Sequence, residues 1–192
     1  MVETVVGVLA LQGDFARHQA MLDSLGYQVR AIRYPSELED LVGLVIPGGE
    51  STTISKQLDR GGLREAIAAF ALEKPVMGTC AGLILMAREP SDSRVKSLNL
   101  LDVVVTRNSW GRQVHSFISP LEVQLNGLQG TFPAVFIRAP RIQEVGSDVE
   151  VIARIQDEPV LVRQGRHLGA AFHPELTNDT RVHRLFLEAL LK

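Results

Sequence analysis

The sequence predicts an α/β protein built on a mostly parallel central sheet, and three observations carry that expectation. Short β-branched, apolar runs alternate with stretches of helical periodicity through residues 5–79. The early runs read as apolar runs more than as the strict alternation of a strand with one wet face, as expected of strands covered on both sides. Glycine- and proline-rich turns fall where each strand should hand over to a helix.

In chain order, Val5 to Leu11 reads as a strand, turned at Gln12-Gly13 into a helix from Asp14 to Leu25 that stops at Gly26. Tyr27 to Ile32 and Gly43 to Ile46 read as the second and third strands, the latter ending in Pro47-Gly48-Gly49. Ser51 to Leu72 is helical with a break at Gly61-Gly62, with Ser51 or Thr52 as its expected cap, and Val76 to Thr79 is a fourth strand before a helical run Leu83 to Arg88. After Leu101 the texture changes to strand-like runs at Val103–Thr106, Leu121–Leu125, Ala134–Ile137, Val149–Arg154, Val160–Val162 and His167–Phe172, with hairpin punctuation at Asp157-Glu158-Pro159 and Gln164-Gly165-Arg166. Antiparallel additions are therefore expected in the C-terminal half. Val182, Leu185, Phe186, Ala189 and Leu190 share one face of a final helix, for which Thr177, Asn178 or Asp179 could serve as cap.

The chain has 192 residues, the size of one domain, with no repeat, linker or low-complexity stretch. Its formal charge of −2 and pI near 6.2 argue against a protein built to neutralise nucleic-acid phosphates. Its apolar runs fall far short of the roughly 18 residues of a membrane span. The start Met1-Val2-Glu3-Thr4 lacks a basic secretory leader, and one cysteine excludes an intrachain disulfide, so a reducing cytoplasmic setting is expected.

That cysteine, Cys80, lies in Gly78-Thr79-Cys80-Ala81-Gly82, between an apolar strand and a helical run. This is the cysteine form of a nucleophile elbow: small residues two before and two after let the segments approach while the thiol projects from the turn. At a helix start, aligned peptide dipoles favour the thiolate. A lone cysteine is otherwise most simply a buried core residue. His173 ends an apolar strand, is stopped by Pro174, and would share a face with Glu175 if the chain stayed extended, so the three could form a Cys-His-Glu triad. Taken alone, His173-Pro174-Glu175 reads more readily as a surface turn, and one thiol, one imidazole and one carboxylate are thin support for a metal. His18, His115, His167 and His183 read as surface or satisfied histidines. Pro47-Gly48-Gly49-Glu50-Ser51 could turn backbone N–H groups toward a substrate oxygen or could be an ordinary strand-to-helix loop; without a following lysine it is not a nucleotide phosphate loop.

Together these three segments resemble the class I, triad-type glutamine amidotransferases. Leu9-Ala10-Leu11-Gln12-Gly13, Arg107-Asn108-Ser109-Trp110-Gly111-Arg112-Gln113 and Phe136-Ile137-Arg138-Ala139-Pro140 narrow the resemblance to the glutaminase subunits of pyridoxal 5′-phosphate synthases, over essentially the whole chain. Trp110 and His115 depart from that pattern, which has phenylalanine and an acidic residue there.

The resemblance implies a flavodoxin-like, three-layer fold over residues 1–192, with helices on both faces of the sheet. It implies that Cys80, His173 and Glu175 hydrolyse L-glutamine to glutamate and ammonia through a glutamyl thioester, with backbone groups near Gly48, Gly49 and Ala81 holding the oxyanion. Gly49, Glu50, Ser51, Arg107, Ile137 and Arg138 would bind substrate, the arginines on its carboxylate and Glu50 on its ammonium; read alone, each arginine is an ordinary solvated charge. It further implies ammonia transfer to a synthase subunit in a hetero-oligomeric complex, docking near Gln12 to complete the oxyanion loop, with no cofactor or metal held by this chain. A cysteine hydrolase acting on γ-glutamyl or peptide bonds and a non-catalytic regulatory subunit are the alternatives.

Overall fold

In a computed structural model of the chain, residues 4–107, 116–125 and 128–191 are described. Residues 108–113 of the Arg107–Gln113 stretch, and the departures at Trp110 and His115, lie outside the described residues.

Four parallel connections build the centre of a seven-stranded sheet. β1 (Val5–Leu9) pairs with both β2 (Gln28–Ile32) and β3 (Leu41–Ile46), β3 pairs with β4 (Val76–Thr79), and β4 pairs with β12 (His167–Ala170), all in parallel register. Two antiparallel strands, β11 (Glu158–Gln164) and β10 (Glu150–Ile155), extend the β12 edge, giving the order β10-β11-β12-β4-β3-β1-β2. The apolar character of β1, β3 and β4 follows from their place: nearly every residue in them is buried, because both faces of the sheet are covered.

The helices lie on both faces. Ile46 pairs with Gly78, so these two face the same way, and a Cβ at Gly78 would run into Gly82 and Met86 of α4 (Ala81–Met86). Gly43, three residues before Ile46 and so on the other side of the pleat, faces Phe186 and Leu190 near α5 (Arg181–Glu188). Helix α1 (Phe15–Ser24) joins α5, to which it is linked by a His18–His183 contact. Helices α2 (Ser51–Arg60) and α3 (Leu63–Ala71) pack together, and α2 packs on α4.

Beside this core, β5 (Ala87–Pro90), β6 (Leu101–Thr106) and β9 (Arg141–Val145) form a small sheet, and β7 (Ser116–Leu125) with β8 (Leu128–Ile137) a long hairpin. One buried apolar cluster runs through all of them, from Val6 and Val45 to Val103, Phe132 and Phe136.

Several sequence expectations are corrected. The run after Cys80 is a helix only to Met86, and Ala87 begins β5, hydrogen-bonded alongside β6. Glu50, and not Ser51 or Thr52, caps α2, because its longer carboxylate reaches the backbone N–H groups of Thr52 and Thr53 at 3.3 and 2.8 Å. The start of α5 has Thr180 at the cap position without a side-chain capping bond; Asp179 instead accepts from the Arg181 N–H at 3.0 Å.

Candidate active site

The C-terminal ends of adjacent parallel strands converge on one place, where open α/β sheets present ligand sites. Gln12 follows β1, Gly48 and Gly49 follow β3, Cys80 follows β4, and His173 comes three residues after β12. From the other side, Arg107 leaves β6, and Ile137 with Arg138 ends β8. Gly49, Glu50, Ser51, Cys80, Ala81, Ile84, Arg107, Ile137, Arg138 and His173 line a common cleft of about 340 Å³.

Cys80 sits in a strained turn at φ 49°, ψ −103°, a conformation that side-chain-bearing residues rarely adopt. Its N–H donates to the Ala170 carbonyl at 2.9 Å, which fixes the turn to β12. The flanking glycines are required by contact. A Cβ at Gly82 would stand 2.0 Å from the Ile46 carbonyl oxygen, and one at Gly78 would stand 2.6 Å from the Gly82 carbonyl carbon. The sulphur lies 3.8 Å from the Ile137 carbonyl, and Cys80 is one of the groups that raise the pKa of the His173 ring.

His173 and Glu175 meet by a different route from the one the sequence suggests. The chain does not stay extended: Pro174 to Leu176 form a 3-10 turn, because proline favours the start of such a turn. The turn still brings Glu175 Oε1 to 2.7 Å from His173 Nδ1, leaving Nε2 for the sulphur. Burial opposes the imidazolium, but Cys80 and Glu175 outweigh it and raise His173 to about 10. Glu175 is 3% exposed; burial opposes its charge too, and neighbouring His18 and His173 still hold its pKa below the usual carboxylate value.

The loop after β3 is crowded on both sides. A Cβ at Gly48 would come 2.5 Å from His173 Cε1, Gly49 has φ 155°, and the Gly48 carbonyl is turned against Gly13. Gln12 Oε1 accepts from the Glu50 N–H at 2.7 Å, tying the loop to the end of β1. Burial works against the Glu50 charge, but the Thr52 and Thr53 hydroxyl and N–H groups lower it to about 2, so it is anionic. Arg107 bridges Glu50 at 3.0 Å and Asp92 at 2.6 Å. Arg138, at φ 45°, is exposed on the rim and has no charged partner among the described residues. The Ser51 hydroxyl is buried beside the cleft with no hydrogen-bond partner among the described residues. Nor do any three of His, Cys, Asp and Glu there form a metal-ligating cluster.

Three participants were not singled out from the sequence. Asp92 lies in a loop with no periodic signal, and its role as counter-charge to Arg107 emerges only when the loops meet. His18 and His183, read as satisfied histidines, are buried and hydrogen-bonded to each other at 2.9 Å, but His18 also lies 3.3 Å from Glu175.

A mostly parallel three-layer sheet with a strained cysteine turn facing a buried His-Glu pair is the architecture of the class I glutamine amidotransferases. A crystal structure of a glutamine amidotransferase matches the fold with a TM-score of 0.92 at 47% identity, over 97% of this chain and 99% of that one. The chain belongs to the SNO glutamine amidotransferase family, whose profile matches residues 8–192. Among its relatives, the pyridoxal 5′-phosphate synthase subunit PdxT of Koribacter versatilis is 51% identical over 95% of this chain and 94% of its own length. The PdxT of Thermus thermophilus is 52% identical over 96% of each chain.

Proposed function

We propose that this chain is the glutaminase subunit of a pyridoxal 5′-phosphate synthase, hydrolysing L-glutamine to L-glutamate and ammonia and delivering the ammonia to a synthase subunit. The observation that carries the reading is the Cys80-His173-Glu175 constellation in a chain about half identical to proteins named as that subunit.

In the proposed mechanism the Cys80 thiolate attacks the side-chain amide carbon, and backbone N–H groups of Gly48, Gly49 and Ala81 hold the oxyanion. The His173 imidazolium gives its proton to the departing nitrogen, ammonia leaves, and a glutamyl thioester remains. Neutral His173 then takes a proton from water, the hydroxide adds to the thioester, and collapse releases glutamate and regenerates the thiolate. Glu175 holds the ring so that Nε2 faces the sulphur throughout.

The Arg107–Glu50 pair already contains the two charges that a zwitterionic amino-acid end needs. The substrate carboxylate would take Arg107 and Arg138, and its ammonium Glu50, with Gly49, Ser51 and Ile137 completing the wall. Free ammonia would be protonated in water, so the synthase partner belongs to the mechanism, and Gln12 with the Gly48–Gly49 loop is the proposed point where docking completes the oxyanion site. This chain holds no cofactor or metal in this account, works as a single domain over residues 1–192, and acts in the cytoplasm. None of the helices among the described residues is long and apolar enough to cross a membrane.

Glutamate release from L-glutamine, measured with and without the synthase subunit, tests the reading. Release that rises at least about 10-fold with the subunit and vanishes in Cys80→Ala is expected. Equal turnover with and without it would refute the activation step, and no turnover in either case would refute the glutaminase.

A further inference from the structure

Glu175 has two carboxylate oxygens, and the triad accounts for one. Oε1 is bound to His173, whereas Oε2 is buried and has no aligned hydrogen bond among the described residues. The nearest polar atom recorded against it is Nε2 of His18, at 3.3 Å, on a helix the mechanism does not otherwise use. His18 is 0% exposed, as is His183 on α5, and both are titratable groups placed behind the reacting centre.

The tautomers of this pair follow from what each nitrogen faces. A lone pair on His18 Nε2 would confront the Glu175 carboxylate across 3.3 Å between two fully buried side chains, whereas an N–H there is attracted to it. The same N–H lies 3.1 Å from the Thr79 hydroxyl oxygen, and sharing between two acceptors accounts for its imperfect aim at Oε2. With Nε2 protonated, His18 Nδ1 carries the lone pair and accepts from His183 Nε2–H at 2.9 Å. That leaves His183 Nδ1 as an acceptor with no partner among the described residues. In the opposite arrangement the Thr79 hydroxyl could donate to Nε2, but an unpartnered N–H would be buried at His183 and a lone pair would still stand beside the carboxylate.

We propose that His18 is a positioning residue of this site: its Nε2–H faces Glu175 Oε2 and keeps Oε1 on His173, while His183 holds His18 in the tautomer that permits this. The inference rests on the triad reading given above and extends it by one layer. The groups facing His18 are Glu175, His173, Asp14, Thr79 and His183. Burial is the largest influence on it and keeps it below its ordinary value, against the pull of Glu175; His173 reinforces burial and Asp14 opposes it. A neutral His18 is thus a fixed dipole, serving a carboxylate as buried partners serve the ligands of a metal site.

The first test uses the wild-type chain and needs no activity. Imidazole nitrogen NMR of histidine-labelled protein is expected to show His18 neutral and protonated at Nε2; the Nδ1–H tautomer would overturn the proposal. The second uses the glutaminase in complex with its synthase subunit. His18→Phe, which keeps bulk and removes the N–H, is expected to lower kcat about 10- to 100-fold with little change in KM for glutamine, and to move the acid limb of the pH profile upward. His18→Gln, which keeps an amide N–H at the Nε2 position, is expected to recover much of both. Unchanged kcat and pH profile in folded His18→Phe would overturn the positioning role. Absence of turnover in the wild-type complex would instead count against the glutaminase reading, and the NMR result would still decide the tautomer.

Discussion

Cys80 carries the strain of this site and, in the proposed mechanism, its chemistry, and the two can be separated. Its positive φ suits glycine, so Cys80→Gly is expected to be more stable than Cys80→Ala by about 1 kcal/mol while both are inactive. Urea denaturation of the two variants checks this, and equal midpoints would show that the turn is unstrained. Glu175→Gln keeps the shape of the side chain and loses the charge that orients His173, and is expected to lower kcat about 100-fold or more. His173 also ties stability to pH. Its pKa in the fold is raised from 6.5 to about 10, so its contribution is fully present below pH 6.5 and is lost as pH rises toward 10. The gap in melting temperature between wild type and His173→Gln should therefore narrow from pH 7 to pH 10; a constant gap would contradict the imidazolium. At this scale the triad was legible because each member sits in a short pattern with a steric reason. His18 was not, because one histidine among the apolar positions of a helix looks the same whether it packs against a wall or against a carboxylate.

At the scale of elements, the crossing of the Cys80 turn over β3 is set by contact between backbones. Gly82→Ala would drive a methyl group to 2.0 Å from the Ile46 carbonyl oxygen, which no side-chain adjustment can relieve. The expected cost is about 3 kcal/mol or more, read as a lower urea midpoint with an unchanged slope. A loss under about 0.5 kcal/mol would mean that α4 does not press on β3 as described. The inner parallel strands β1, β3 and β4 were legible because burial on both faces makes them apolar runs. β5 and β9 were not, since Ala87-Arg88-Glu89-Pro90 and Arg141–Val145 carry exposed charges on a small outer sheet. The hairpin of β7 and β8 extends beyond the runs read at Leu121–Leu125 and Ala134–Ile137 because Pro120 and Pro133 argue against strands. In the structure they face each other, where a pair without N–H groups fits a non-hydrogen-bonded site.

The whole molecule gathers its candidate chemistry at one end of the sheet from segments spread between Gln12 and Glu175, so the site exists only when the sheet is assembled. Sequence patterns identified those segments, but the Arg107–Glu50–Asp92 bridge and the histidine pair behind Glu175 depend on loops and helices distant in the chain. The central claim is that Cys80, activated by His173, forms a covalent bond to the side-chain carbon of glutamine. It is tested most directly by treating the complex of this chain and its synthase subunit with a diazoketone analogue of glutamine, which a thiolate alkylates with loss of dinitrogen. One label per chain, mapped by mass spectrometry to the Cys80 peptide, blocked by L-glutamine and slowed in His173→Gln, is the predicted result. Label on another residue, or labelling of Cys80 that glutamine does not block, would contradict it.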